Sequence, residues 1–163
     1  MKYLLAILLT LSLNTTSYAD NVTLKIKPSA ITNDTQEEKE PTIQNKKSLV
    51  VVASSGDLKK AGMGFSLSLG ALENNIETTI ILGADALHFA QIKGKQNLFI
   101  AKNMTNREIL KKAVESGAKV YVCSMCAKAM GLEGSDFIKG AKLVKSKEIF
   151  KVIYKENSKV LSF

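Results

Sequence analysis

The pattern of apolar and polar positions changes twice along this chain and divides it into three parts. Residues 3–13 form a predominantly apolar run behind a single positive charge, Lys2, and give way to the polar and small NTTSYA. Residues 21–48 are polar and charged and hold the only two prolines, Pro28 and Pro41. From Leu49 the texture is that of a folded domain. Short β-branched runs alternate with segments whose apolar residues recur every three or four positions.

Within that domain the elements follow in order. LVVVASS (49–55) predicts a buried strand ending in small residues. Residues 57–75 predict a helix, with Leu58, Ala61, Phe65, Leu69 and Leu72 on one face and Asp57 as N-cap. Its glycines, Gly62, Gly64 and Gly70, weaken a helix but permit close packing on a sheet. IETTIIL (76–82) predicts a second strand, and 83–91 a turn with a short helix around ALHFA. Residues 97–101 predict a short strand or an extended connection. A helix over 106–116 is closed by Gly117, a strand follows at 119–122, and a helix over 124–130 is stopped by Gly131. A short turn capped by Ser135 runs to Ile138, then a last helix spans 146–155 and a last strand 159–163. No internal repeat is present. Strands buried on both faces and separated by helices predict a three-layer α/β/α domain with a mainly parallel sheet. In such sheets functional groups gather at the carboxyl ends of the strands.

The first segment reads as a cleavable secretory signal. The apolar run is too short to span a bilayer, and Ser17 and Ala19 stand at −3 and −1 of a cut before Asp20. No cysteine follows the cut, which argues against a lipid anchor. The expectation is an exported, periplasmic protein without stable membrane insertion. Residues 20–48 are expected to be a flexible linker, in which VTLKI alternates as a short strand would and the rest has too few large apolar groups to offset ordering.

The formal charge of +8 falls to +7 once Lys2 is removed. It changes the picture little. Arg107 is the sole arginine and the lysines are scattered, whereas nucleic-acid readers favour arginine and interleaved aromatics. A solvated lysine surface, able to meet an acidic partner, accounts for the charge.

The remaining chemistry sits in VYVCSMCAKAMG, which holds the only two cysteines, Cys123 and Cys126. An exported pair can form a disulfide, but a C-x-x-C bridge closes too small a loop to be a strong staple. Such pairs serve redox or carrier chemistry more often. The strand ends and a helix begins within a residue or two of Cys123, so its sulfur meets first-turn backbone N–H groups that favour a thiolate. Such a thiolate attacks a disulfide or accepts sulfane sulfur as a persulfide. A thioredoxin-like fold is disfavoured because no proline lies beyond Pro41 to face the pair. Zinc needs about four ligands, and the chain adds only His88. Copper(I) suits a Cys/Met set that includes Met125 and Met130, although core packing is the plainer role for both methionines. His88 follows the second strand and is read as a half-exposed structural residue that can also reach the same rim. SSGDLKKAGMG (54–64) lacks the spacing of a phosphate loop, and no cofactor is expected.

The segments VVVASSGD, IILGADALHFA, GAKVYVCSMCAKAMGLEGSDFIKGAKLV and KVLSF, in this order over residues 49–163, resemble the DsrE/DsrF-like sulfur-relay family. The resemblance implies a flavodoxin-like fold and a persulfide carried at the position of Cys123. It implies homo-oligomers, trimeric or hexameric, that exchange sulfur with donor and acceptor proteins or small sulfane-sulfur compounds. Cys126 matches a C-x-x-C branch of the family. Exported, such a protein would handle periplasmic sulfane sulfur, as a sulfurtransferase or as a carrier without turnover of its own. Cys126 would act as resolving or protective thiol. A thiol-redox or copper(I)-binding module is the alternative.

Overall fold

The structure is a computed structural model that describes residues 46–163. The expectations for the signal segment and most of the linker lie outside the described residues.

Five parallel strands form the main sheet. They are β1 (Ser48–Ala53), β2 (Glu77–Leu82), β5 (Lys119–Cys123), β6 (Ala141–Val144) and β7 (Ser158–Ser162), in spatial order β6-β5-β2-β1-β7. A two-residue antiparallel pair, β3 (Leu98–Phe99) with β4 (Met104–Thr105), stands apart from it. The helices are α1 (Leu58–Glu73), α2 (Asn106–Glu115), α3 (Ser124–Ala129) and α4 (Ser146–Ile153). The domain is thus α/β with a parallel sheet, as its alternating pattern predicts.

The strand β6 is not among the sequence expectations. AKLV is short and its lysine interrupts the apolar run. Its place is fixed by the ladder with β5, in which Cys123 lies opposite Val144. The turn before it also differs from expectation. Glu133, not Ser135, begins the 3₁₀ turn Gly134–Asp136, and the Asp136 carboxylate accepts from the Glu133 N–H at 2.8 Å.

One face of the sheet carries the main core. Val51, Ala53, Ile80, Leu82, Val120 and Val122 alternate towards Phe65 and Leu69 of α1 and Ile109 and Leu110 of α2. Asp57 caps α1 as expected, its Oδ1 accepting from Lys59 N and Lys60 N at 2.9 and 2.8 Å. Thr105 caps α2 in a capping box with Glu108. Two glycines of α1 serve the close packing foreseen for them. A Cβ on Gly62 would stand 2.6 Å from the Phe99 ring, and one on Gly64 would stand 2.8 Å from the Phe163 ring.

Val50, Thr79 and Ile81 alternate to the other face and are buried too. The chain builds outward from β1 through β2 and β5 to β6, then crosses back through α4 to β7. A right-handed return places α4 on the face away from α1 and α2. Lys155, just beyond α4, there joins Lys119 of β5 at the Glu77 carboxylate of β2. The topological switch point therefore lies between β1 and β7. At the carboxyl end of that junction Ser54 N donates to Phe163 O, and the Phe163 ring rests on Gly64.

Candidate functional site

Cys123 is the last residue of β5 and the N-cap of α3, with extended backbone (φ −61°, ψ 110°). The two roles have one cause. Val120 and Val122 anchor the strand in the core, and Ala127, fully buried, anchors the helix four residues later. Between them the chain must turn at the sheet's carboxyl edge, and it turns at the thiol. The Cys123 sulfur takes the place of a capping oxygen. The N–H groups of Met125 and Cys126 act on it, without the geometry of a full capping hydrogen bond.

Both cysteines are free and half-buried. Burial pushes the Cys123 thiol up, but the Cys126 thiol and the N–H groups of Cys126 and Met125 outweigh it, and the net displacement is downward. Cys126 is displaced the other way. The N–H groups of Ala84 and of Cys126 itself favour its thiolate, but the neighbouring Cys123 sulfur, burial and the Cys123 charge outweigh them, and the net displacement is upward. The pair is therefore unequal. Cys123 is displaced towards the thiolate and Cys126 towards the thiol.

Ala84 belongs to the turn after β2, residues Gly83 to His88, and was not foreseen as part of the site. Gly83 N donates to Ala53 O at 2.9 Å and Ala86 N to Gly83 O at 3.0 Å, which ties the turn to the end of β1. Ala84 has φ +43°, a region costly for a residue with a side chain. No residue type announced it, because alanine is an ordinary helix former and carries no side-chain chemistry.

His88 lies on the same turn. Its Nδ1 donates to the Asp85 carbonyl, and its ring packs on Phe89 with centroids 3.8 Å apart. Gly56, in the loop after β1, approaches it so closely that a Cβ there would lie 3.6 Å from His88 Cε1 and 3.2 Å from Asp85 Cβ. No hydrogen bond joins His88 to either thiol. It holds its own turn through Asp85 and Phe89 and lies beside the loop after β1.

The methionines correct the plainer expectation. Met125 is 78% exposed and Met130 48% exposed. Cys126 and Ala127 take the inward side of α3, so Met125 faces solvent beside the thiols and fills no core.

Over residues 46–163 the sequence matches the model of the DsrE/DsrF-like family. The chain belongs to the DsrE/DsrF-like family. An uncharacterized protein of Methanocaldococcus jannaschii, MJ0989, is 36% identical over 105 residues, which are 64% of this chain and 88% of that protein. An uncharacterized protein of Methanopyrus kandleri, MK0008, is 32% identical over 105 residues, 64% of this chain and 83% of its own. Among solved structures, the ychN protein of E. coli superposes with a TM-score of 0.63 at 17% identity, over 72% of this chain and 99% of its own. MTH1491 of Methanobacterium thermoautotrophicum, of unknown function, gives 0.58 at 11% identity, over 72% and 100%. These two likenesses establish the fold. The DsrE/DsrF-like family is generally tied to sulfur relay.

Proposed function

We propose that this protein is an exported sulfur carrier in which Cys123 accepts sulfane sulfur as a persulfide and Cys126 resolves or protects it. The observation that carries this reading is the unequal pair at a strand–helix corner: Cys123 is displaced towards the thiolate, and Cys126, one helical turn away, towards the thiol. Loading on polysulfide balances without a further reactant. The Cys123 thiolate attacks a terminal sulfur, a sulfur–sulfur bond breaks, and the polysulfide leaves one sulfur shorter with the electron pair. The signal-like residues 1–19 support a periplasmic setting, where donor and acceptor are other sulfur-handling proteins or small sulfane-sulfur compounds. Assembly as a trimer or hexamer belongs to the same reading and is checked by light scattering on the mature protein.

The decisive test is intact mass before and after polysulfide, with thiols alkylated. Gain of whole sulfur masses mapped to Cys123, lost in Cys123→Ser and kept in Cys126→Ser, is the expected result. Equal loading of Cys123→Ser would remove Cys123 from the role.

The exposure of Met125 beside the pair favours one second reading, a copper(I) module with Cys123 and Cys126 as thiolate ligands and Met125 as a thioether ligand. Titration of the reduced protein against a competing chelator separates the two. One tightly held copper(I), weakened by Met125→Leu, supports it, and weak nonstoichiometric uptake dismisses it.

A further inference from the structure

The outward side of α1 is apolar where a solvated helix side is polar. Ala61, Phe65 and Leu69 take the inward side and are buried. Met63 and Leu67, one turn apart on the opposite side, are exposed. A second wall stands beside them. The 3₁₀ turn Ile100–Lys102 joins β3 to β4, and Asn103 closes it at φ +49° with its N–H on the Ile100 carbonyl at 3.1 Å. Leu98 is exposed on this wall, and Ile100 is 90% exposed. Phe99 joins the walls, its ring lying against α1 where Gly62 has no Cβ to meet it.

Between the walls lies a cavity of about 710 Å³, within the size range of small-molecule sites. Met63, Leu67, Leu98, Phe99 and Ile100 line it, and its exposed surface is almost wholly apolar. Lys59, in the first turn of α1, and Lys102, at the end of the 3₁₀ turn, also line it. Among the described residues no acidic side chain lines the cavity, and neither lysine is in an ion pair.

Apolar side chains gathered in one concavity gain from being covered. Charge decides by what. An isologous contact with a second copy would bring Lys59 and Lys102 of both copies together, on a chain of formal charge +8. A cationic ligand would meet the same repulsion, and a neutral one would gain nothing from the two ammonium groups. An anionic head pairs with them, while an apolar chain fills the space along the walls.

We propose that this cavity binds a free single-chain amphiphile with an anionic head, a long-chain carboxylate. Its chain lies against Met63, Leu67 and Ile100, and its head pairs with Lys59 and Lys102. Neither cysteine lines the cavity, so the proposal stands whether or not Cys123 carries sulfur.

The probe is dodecanoate below its micellar concentration, titrated calorimetrically into the full-length protein. Dodecyltrimethylammonium is the cationic comparison of equal chain length. One saturable site for dodecanoate is expected, with the cation bound at least about tenfold more weakly. Lys59→Glu/Lys102→Glu should weaken dodecanoate binding about tenfold. Met63→Glu, which sets a carboxylate in the apolar lining, should weaken it by about tenfold or more. Lys147→Glu, the same charge change on α4, should leave it as it is. All four positions are exposed, and an unchanged thermal midpoint by circular dichroism shows that each variant is folded. Nonsaturable uptake, equal binding of the two amphiphiles, or indifference to the cavity variants would overturn the proposal. So would light scattering that shows an oligomer which takes up no dodecanoate and which the cavity variants take apart, because the face would then belong to a second copy.

Discussion

The two faces of the sheet are built differently. Under α1 and α2, Phe65, Ile80, Leu82, Ile109, Leu110 and Val122 are all fully buried. Under α4 the strands supply the burial and the helix supplies little. No residue of α4 is buried, Phe150 is 55% exposed, and Tyr154 just beyond it is 81% exposed. Yet α4 is the more sharply amphipathic of the two kinds of helix. A clear apolar stripe shows which way a helix faces, and neighbouring mass decides how much it buries. The cysteine corner draws its support from the well-packed side. Ala127 and the turn after β2 both root in the core shared with α1 and α2. Thiols held by rigid elements keep a fixed geometry.

This contrast can be broken in five places. Phe65→Ala should cost about 3–5 kcal/mol, measured by urea unfolding, because the ring is fully buried and packs edge-on against Phe89 at 5.9 Å. A loss no greater than that of an exposed residue would mean that the α1 face is not the stable one. Gly62→Ala should cost about 1–3 kcal/mol, since its methyl would meet the Phe99 ring and the Asn106 side chain. Gly70→Ala, where a Cβ meets nothing within 4 Å, should instead stabilise the same helix by about 0.5–1 kcal/mol.

Glu77→Gln should cost about 0.5–1 kcal/mol, because both lysine partners are well exposed and solvent screens the pairs. It also carries a pH signature. Hydrogen bonds from Lys119 and then Lys155 hold the Glu77 carboxyl at about 2 in place of 4.5. A carboxyl lowered by folding stabilises fully above its unfolded value and loses that contribution as pH falls towards its folded one. The difference in unfolding free energy between wild type and Glu77→Gln should therefore shrink between about pH 4.5 and 2, and a pH-independent gap would assign the effect to packing. The smallest effect is expected at Phe150→Ala, within about 0.5 kcal/mol. A cost above that of Gly62→Ala would show α4 to be a packed layer and erase the contrast.

Much of this was legible in the sequence because single residues have single physical readings. Asp57 before an apolar-periodic stretch is an N-cap, and LVVVASS between polar segments is a buried strand. Two thiols after VYV stand at a carboxyl end. What escaped depends on distant partners. AKLV becomes a strand because β5 offers it a ladder, and nothing local demands it. The exposure of Met125 follows from which side of α3 meets the core. Ala84 enters the site through its backbone, and a one-letter code does not record where an N–H points.

The strand β1 has neighbours of very different kinds in time. Ser48 meets Glu77 on one side and Ser158 on the other. β1 and β2 close over a short loop through α1, while β1 and β7 must wait for a closure of about 110 residues, which is costly in entropy and slow. Until residues 158–162 arrive, β1 presents an open parallel edge, and Gly64 lacks the Phe163 ring that covers it. A chain stalled or cut before that point would carry an unpaired edge strand of SLVVVA, the kind of template on which other chains pair and aggregate.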